Sequence, residues 1–155
     1  MAVGNIDRNA IDRIIDERNE NGKYVSLADF IIRTRLGFEQ TEKFIKCGAM
    51  DCFKQTKPTL LRLLDIYYKN RKLLDESIND LFINDTFKLE REVVTEREFA
   101  PEEICAYEYE SFGYMVTKHP LEFFSGDINS KEIITASDLQ KYNNRNVKMI
   151  GWYMA

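Results

Sequence analysis

The first half of the chain is a succession of short apolar-faced segments, each cut off by glycine, asparagine or proline. In Ala10–Arg18 the apolar residues Ile11, Ile14 and Ile15 recur at helical spacing, and Asn21-Gly22 ends the run. Ser26 is set to cap a second helix, SLADFIIRT, with Asp29 three residues on as a variant capping box and Leu27, Phe30 and Ile31 as its apolar face. Leu36-Gly37-Phe38 makes the next turn, and a third helix is expected over about Glu39–Cys47. Lys57-Pro58 opens what reads as the longest helix, apolar on most sides from Leu60 to Tyr68, with proline in its favoured first turn. Helices this short are marginal in water by themselves, so they must share their apolar faces. The expectation is a bundle of short helices.

Past this region the pattern weakens. Residues 75–100 are polar and charged around Leu81-Phe82 and read as an extended connector. Pro101–Phe112 is a further helix with Ile104, Tyr107 or Glu108, and Phe112 along it. Gly113 and His119-Pro120 break it, and Leu121–Phe124 is a brief helical turn in which His119 pins the chain. Asn146–Ala155 alternates like a β-strand but has no visible partner, as though a domain were cut there. The expected class is therefore mainly α, with an extended connector and a truncated terminal β segment. The expected divisions are 1–74, 75–100, 101–125 and 126–155.

No run of residues is long and apolar enough to cross a bilayer, and the N-terminus lacks an export signal. Cys47, Cys52 and Cys105 are an odd number at wide spacing and read as reduced, mostly buried thiols, which fits a cytoplasmic protein. One histidine cannot serve a Ser/His/Asp or Cys/His nucleophile. No glycine-rich phosphate loop and no metal-ligand spacing appears either, so no catalytic residue, metal ligand or cofactor is expected. The net charge of −4 is unevenly spread. Residues 1–74 hold 14 Lys/Arg against 10 Asp/Glu, and residues 43–72 hold 8 against 2. Screening confines fields to about 8–10 Å at physiological salt, so a local patch weighs more than the total. At Thr41–Leu61 a helix ends on Gly48 and is trailed by Lys54, Lys57 and Arg62. This presents cations to a phosphate, or it is a solvated helix end.

The order Ala2–Ile15, Arg18–Tyr24, Ser26–Phe30, then FIKCGAMD at Phe44–Asp51 and the Gly-Tyr…His-Pro-Leu stretch within Phe112–Leu121, resembles the bacterial replicative DNA polymerase III alpha-subunit family. The resemblance covers nearly the whole chain. It implies tandem helix-hairpin-helix units over 1–74, a connector with a sliding-clamp motif, and the start of an OB-fold, downstream of catalytic aspartates that are absent here. Phe44, Ile45, Cys47 and Met50 then become core. The implied function is a non-catalytic, sequence-independent grip on duplex DNA behind the active site. Its partners would be duplex DNA, a sliding clamp and the remainder of the alpha subunit, with no membrane. The implied DNA-binding residues are Gly4, Asn5, Ile6, Arg8 and Arg13 at the first hairpin and Gly37, Phe38, Lys43 and Lys46 at the second, followed by Lys54, Lys57 and Arg62. Asp7 stands where the family has a hairpin glycine, which weakens the first hairpin toward phosphate and throws more of the grip onto the second. The clamp motif would be Ile78, Leu81 and Phe82, with Ile78 in place of a glutamine. The competing reading is a structural or interaction module that positions the OB-fold and the clamp peptide with little DNA binding of its own.

Overall fold

The apolar faces of the first half converge on one helix. A computed structural model describes residues 8–69, 93–128 and 133–153, in two units, Met1–Tyr114 and Met115–Ala155. In the first unit α1 is Arg8–Asn21, α2 Leu27–Thr34, α3 Phe38–Lys46, α4 Lys57–Lys69 and α5 Pro101–Phe112, with a 3-10 turn at Asp51–Phe53. Helix α4 packs against α2 and α3, α1 against α2, and α5 against α3. Leu60, Leu63, Leu64 and Tyr67 of α4 are all at most 1% exposed, which makes that helix the centre of the core. Leu27, Phe30 and Ile31 of α2, Ile45 of α3 and Met50 close around it, with Phe44 half-buried alongside. Tyr24, Phe30 and Phe44 meet edge to face, at centroid distances of 5.0 and 6.2 Å.

Local chemistry accounts for where the helices stop. The Ser26 side chain accepts the Asp29 N–H at 3.1 Å, as expected of the cap. The Asp29 carboxylate accepts from the Val25 N–H, one residue upstream of a capping box. Helix α1 runs on to Asn21 because Arg33 covers its end. The guanidinium donates to the carbonyls of Glu17 and Gly22 at 3.0 Å and lies 4.4 Å from the Tyr24 ring centroid. Among the described residues α1 spans 14 and α4 spans 13, with α4 reaching the last described residue of its stretch.

Helix α3 ends in a paired-bond motif. The Ala49 N–H reaches the Phe44 carbonyl at 3.0 Å and the Gly48 N–H reaches that of Ile45 at 3.1 Å, with Gly48 at φ +84°. FIKCGAMD is thus a helix terminator whose Phe44, Ile45 and Met50 pack inward.

Arg33 also holds the carboxylates of Glu17 and Asp29, at 3.0 and 3.1 Å. The Arg33 guanidinium, and then Asn21, hold the Glu17 carboxyl below its ordinary value of 4.5. A carboxyl depressed by folding adds stability above its unfolded pKa, and that stability is lost as pH falls through the folded one. Thermal unfolding of Glu17→Gln should therefore show a lower Tm than the parent at pH 7, with the gap closing as pH drops below about 4.5.

Of the connector, only residues 93–100 lie among the described residues, and these are held in place. Glu96 exchanges main-chain bonds with two threonine hydroxyls at the start of α4: Thr56 Oγ1 donates to its carbonyl and its N–H donates to Thr59 Oγ1, both at 2.8 Å. The Glu98 carboxylate accepts the Lys57 N–H at 3.1 Å, and Val93 packs on the core. Residues 93–100 are therefore a strap across the N-terminus of α4. Helix α5 buries Cys105 and Glu108 rather than Tyr107, whose ring meets Phe99 edge to face at 5.4 Å. The three cysteines are free. Cys105 is buried, Cys47 half-buried with its thiol pKa pushed up by that burial, and Cys52 exposed, against the expectation of burial.

In the second unit His119 does pin the turn, its Nδ1 accepting the Leu121 N–H at the head of the 3-10 helix Pro120–Phe124. A single helical turn, α6 (Ser125–Ile128), and a 3-10 helix, Ala136–Tyr142, follow. The strand expected at Asn146–Ala155 is not formed among the described residues. Lys148 makes one isolated parallel bridge to Ile133, and Met149, Ile150, Trp152 and Tyr153 are exposed. Alternation alone does not make a strand; a neighbouring strand must take its N–H and C=O groups along its length.

Candidate nucleic-acid interface

The α2–α3 hairpin is the best-defined element that a phosphate chain could meet. Helix α2 ends at Thr34, whose hydroxyl turns back onto the Phe30 carbonyl at 2.7 Å. Arg35 then adopts a left-handed conformation (φ 51°) and is exposed, and Leu36 plunges into the core. The Tyr68 hydroxyl donates to the Leu36 carbonyl, and its ring meets Phe38 edge to face at 5.4 Å, so α4 clamps the hairpin from below. From α1, Arg13 reaches the Thr34 carbonyl at 3.3 Å. The hairpin is thus a rigid feature held by two other helices.

Gly37 forms the N-cap of α3 and offers no side chain to its first-turn N–H groups. Its carbonyl accepts both the N–H and the hydroxyl of Thr41, at 3.1 and 3.0 Å. Its φ of −73° suits any residue, and a Cβ built there meets nothing within 4 Å. The fold itself does not demand glycine at this position. A helix N-terminus without a capping side chain, stripped of its Cβ and near exposed Arg35, offers N–H donors to a phosphate oxygen. The exposed Glu39 in the same first turn, where the resembled family has a cation, opposes one.

The sequence-expected residues divide into several groups. Arg13, Gly37 and Phe38 come together at this hairpin, and Arg8 lies exposed in the first turn of α1. Gly4, Asn5 and Ile6 lie outside the described residues, as do Ile78, Leu81 and Phe82. Lys43 is half-buried on α3. Lys46 bonds Glu42 at 2.9 Å and sits 5.2 Å from the Tyr107 ring centroid, and the Glu42 carboxylate raises its pKa. Lys54 is exposed, in a left-handed conformation just past the 3-10 turn.

Lys57 requires a correction. It is 6% exposed, with its ammonium 3.1 Å from Asp51 Oδ1. The side chain ties the turn after α3 to the start of α4 and is withdrawn from the surface. An ammonium so desolvated stays only where a carboxylate meets it. Arg62 is exposed but faces Glu96 at 3.1 Å. The cations of 43–62 therefore do not form one open positive face, since Lys46, Lys57 and Arg62 each meet a carboxylate.

Arg35 was missed. Only its position inside an Arg-Leu-Gly turn could have flagged it, because its exposure depends on the left-handed C-cap. Among the described residues no group of three or more His, Cys, Asp or Glu is placed to hold a metal ion, and no helix is long and apolar enough to cross a membrane.

The helix-hairpin-helix motif family matches residues 1–60, the stretch that contains this hairpin. The chain is 33% identical over 141 residues to the DNA polymerase III subunit alpha of Borreliella burgdorferi, covering 83% of this chain and 12% of that protein. The subunits of the same name from Chlamydia trachomatis and Bacillus subtilis are each 25% identical, covering 90% and 96% of this chain but 12% and 14% of their own lengths. The chain thus spans about an eighth of the length of these relatives. With α1, α2 and α3 arranged as hairpin helices and the similarity running along most of its length, the chain belongs to the bacterial DNA polymerase III alpha-subunit family, of which it represents a segment bearing the helix-hairpin-helix motif.

Proposed function

We propose that this chain is a non-catalytic, duplex-DNA-binding segment of a replicative DNA polymerase, gripping the backbone behind the active site in the cytoplasm without reading sequence. One observation carries this reading: a glycine that the fold does not need stands at the N-cap of α3, beside exposed Arg35 and Arg13. A phosphate oxygen taking the first-turn N–H groups would need that absent Cβ. Arg35 and Arg13, with Arg8 and Lys43, would add charge around it. Such contacts position DNA and carry no base information.

Fluorescence anisotropy with duplexes of unrelated sequence tests this. Binding should be indifferent to sequence and should weaken by a factor of ten or more between ~50 and ~200 mM salt. Gly37→Ala should lower the thermal unfolding midpoint by a few degrees at most, the cost of alanine in place of glycine at an N-cap, while weakening DNA binding several-fold, and Arg35→Glu should weaken it further. If Gly37→Ala and Arg35→Glu both bind as the parent does, this hairpin is not the DNA contact.

The pairing of Lys46, Lys57 and Arg62 with Glu42, Asp51 and Glu96 favours a second reading, in which the segment is a spacer that positions a neighbouring domain and a clamp peptide. Under it the parent shows no DNA binding even at ~50 mM salt. A sliding-clamp contact through Ile78, Leu81 and Phe82 is compatible with either reading. Loss of clamp capture on replacing Leu81 and Phe82 by alanine would support it.

A further inference from the structure

A cavity of about 740 Å³ opens at the end of the first unit remote from the α2–α3 hairpin. The last turn of α1, the turn at Gly22–Tyr24 and the segment Ala49–Phe53 beyond α3 surround it. Helix α3 has nine residues, so about 13 Å of helix separates its hairpin end from this one. The volume lies in the range of small-molecule sites, about 300–1,000 Å³.

Its lining combines two chemistries. Tyr24, Phe30, Phe44 and Phe53 supply an aromatic wall, the first three packed edge to face. Among the described residues Arg18 and Lys23 are the only lining ones that carry a full charge at neutral pH, both are exposed, and no Asp or Glu lines the space. Among the carboxylates adjacent in sequence, Glu17 is held by Arg33 and Asp51 by Lys57, while Glu20 is exposed without lining the space. The carbonyls of the last turn of α1 oppose an anion here, since Arg33 covers only that of Glu17 before it and that of Gly22 beyond it, so Arg18 and Lys23 must outweigh them.

We infer that this cavity is a binding site for a small aromatic anion, a planar ring system carrying a carboxylate or sulfonate. The ring lies among Tyr24, Phe44 and Phe53 and the acid group lies between Arg18 and Lys23. Its position at the opposite end of α3 makes it independent of the DNA-facing hairpin, and its occupancy does not depend on whether the chain binds DNA.

The test is a titration of the full chain with 2-naphthoate and with the neutral 2-naphthamide, followed through backbone amide shifts. Naphthoate should shift Gly22, Tyr24, Ala49 and Cys52 with a Kd of about 1 mM or tighter, leave Gly37 and Phe38 unmoved, and bind at least tenfold more tightly than the amide. Arg18→Gln with Lys23→Gln, both at exposed positions, should remove that preference while leaving the weak binding of the amide. Ala49→Trp, at an exposed lining position, should block both ligands without changing the unfolding curve. Equal affinity for acid and amide, shifts confined to the hairpin, or no saturable shift by several millimolar would each overturn the inference. So would a charge preference that survives the double substitution.

Discussion

Replacing Leu63 by alanine should destabilise the first unit by about 3 kcal/mol, within the roughly 2–5 kcal/mol seen for large-to-small changes in cores. Leu63 is 0% exposed, and its helix is the one against which both α2 and α3 pack. The flanking Leu60 and Leu64 are equally buried, so the space left behind has little freedom to collapse. For a unit of this size the shift in Tm is on the order of 10–15 °C. Differential scanning calorimetry reads it directly. A shift under a few degrees would mean that α4 is not the centre of the core. Because α4 also holds the hairpin through Tyr68, the partly unfolded variant should lose whatever ligand the hairpin takes at the same temperature.

Gly48→Ala should cost about 2 kcal/mol for a different reason. The residue sits at φ +84°, where an L side chain costs roughly 1–2 kcal/mol. The added Cβ would also come 3.0 Å from Asp51 Oδ2, the carboxylate that receives Lys57. Relieving that contact means moving Asp51, which weakens the tie between the turn and α4. Gly37→Ala is the control, since its φ and its neighbours leave room for a Cβ and only the smaller cost of alanine at an N-cap remains. Urea denaturation should therefore separate the two glycines clearly, and similar midpoints for both would refute the account of Gly48.

Both expectations mark what could be read without coordinates. The run Leu60–Tyr68 reads as a largely buried helix, because it is apolar on most sides and polar only at Arg62 and Asp65. Ser26 and Gly48 announced a helix start and a helix end through chemistry local to a few residues. The helix-hairpin-helix organisation was implied by a family resemblance, itself carried by motifs whose order and spacing lie along the chain. Of the candidate site, the turn at Leu36-Gly37-Phe38 was legible because a break between two apolar faces is itself a local signal, while its part in DNA contact came only from the resemblance.

Other features depend on partners that are distant in sequence. Lys57 looked like one more surface cation in a basic run, yet Asp51 and the fold around α4 bury it. Nothing near Arg62 in sequence hints at Glu96, 34 residues away, or at the strap that delivers it. Arg35 is exposed because the helix before it ends in a left-handed turn. The terminal alternation promised a strand whose pairing depends on residues elsewhere, and a single bridge is what forms among the described residues. By itself the sequence determined the helices, their ends and the family, since propensity, capping and apolar period are local properties. Only the tertiary structure decided which charges remain available to a ligand, since burial and ion pairing are set by what the fold brings alongside.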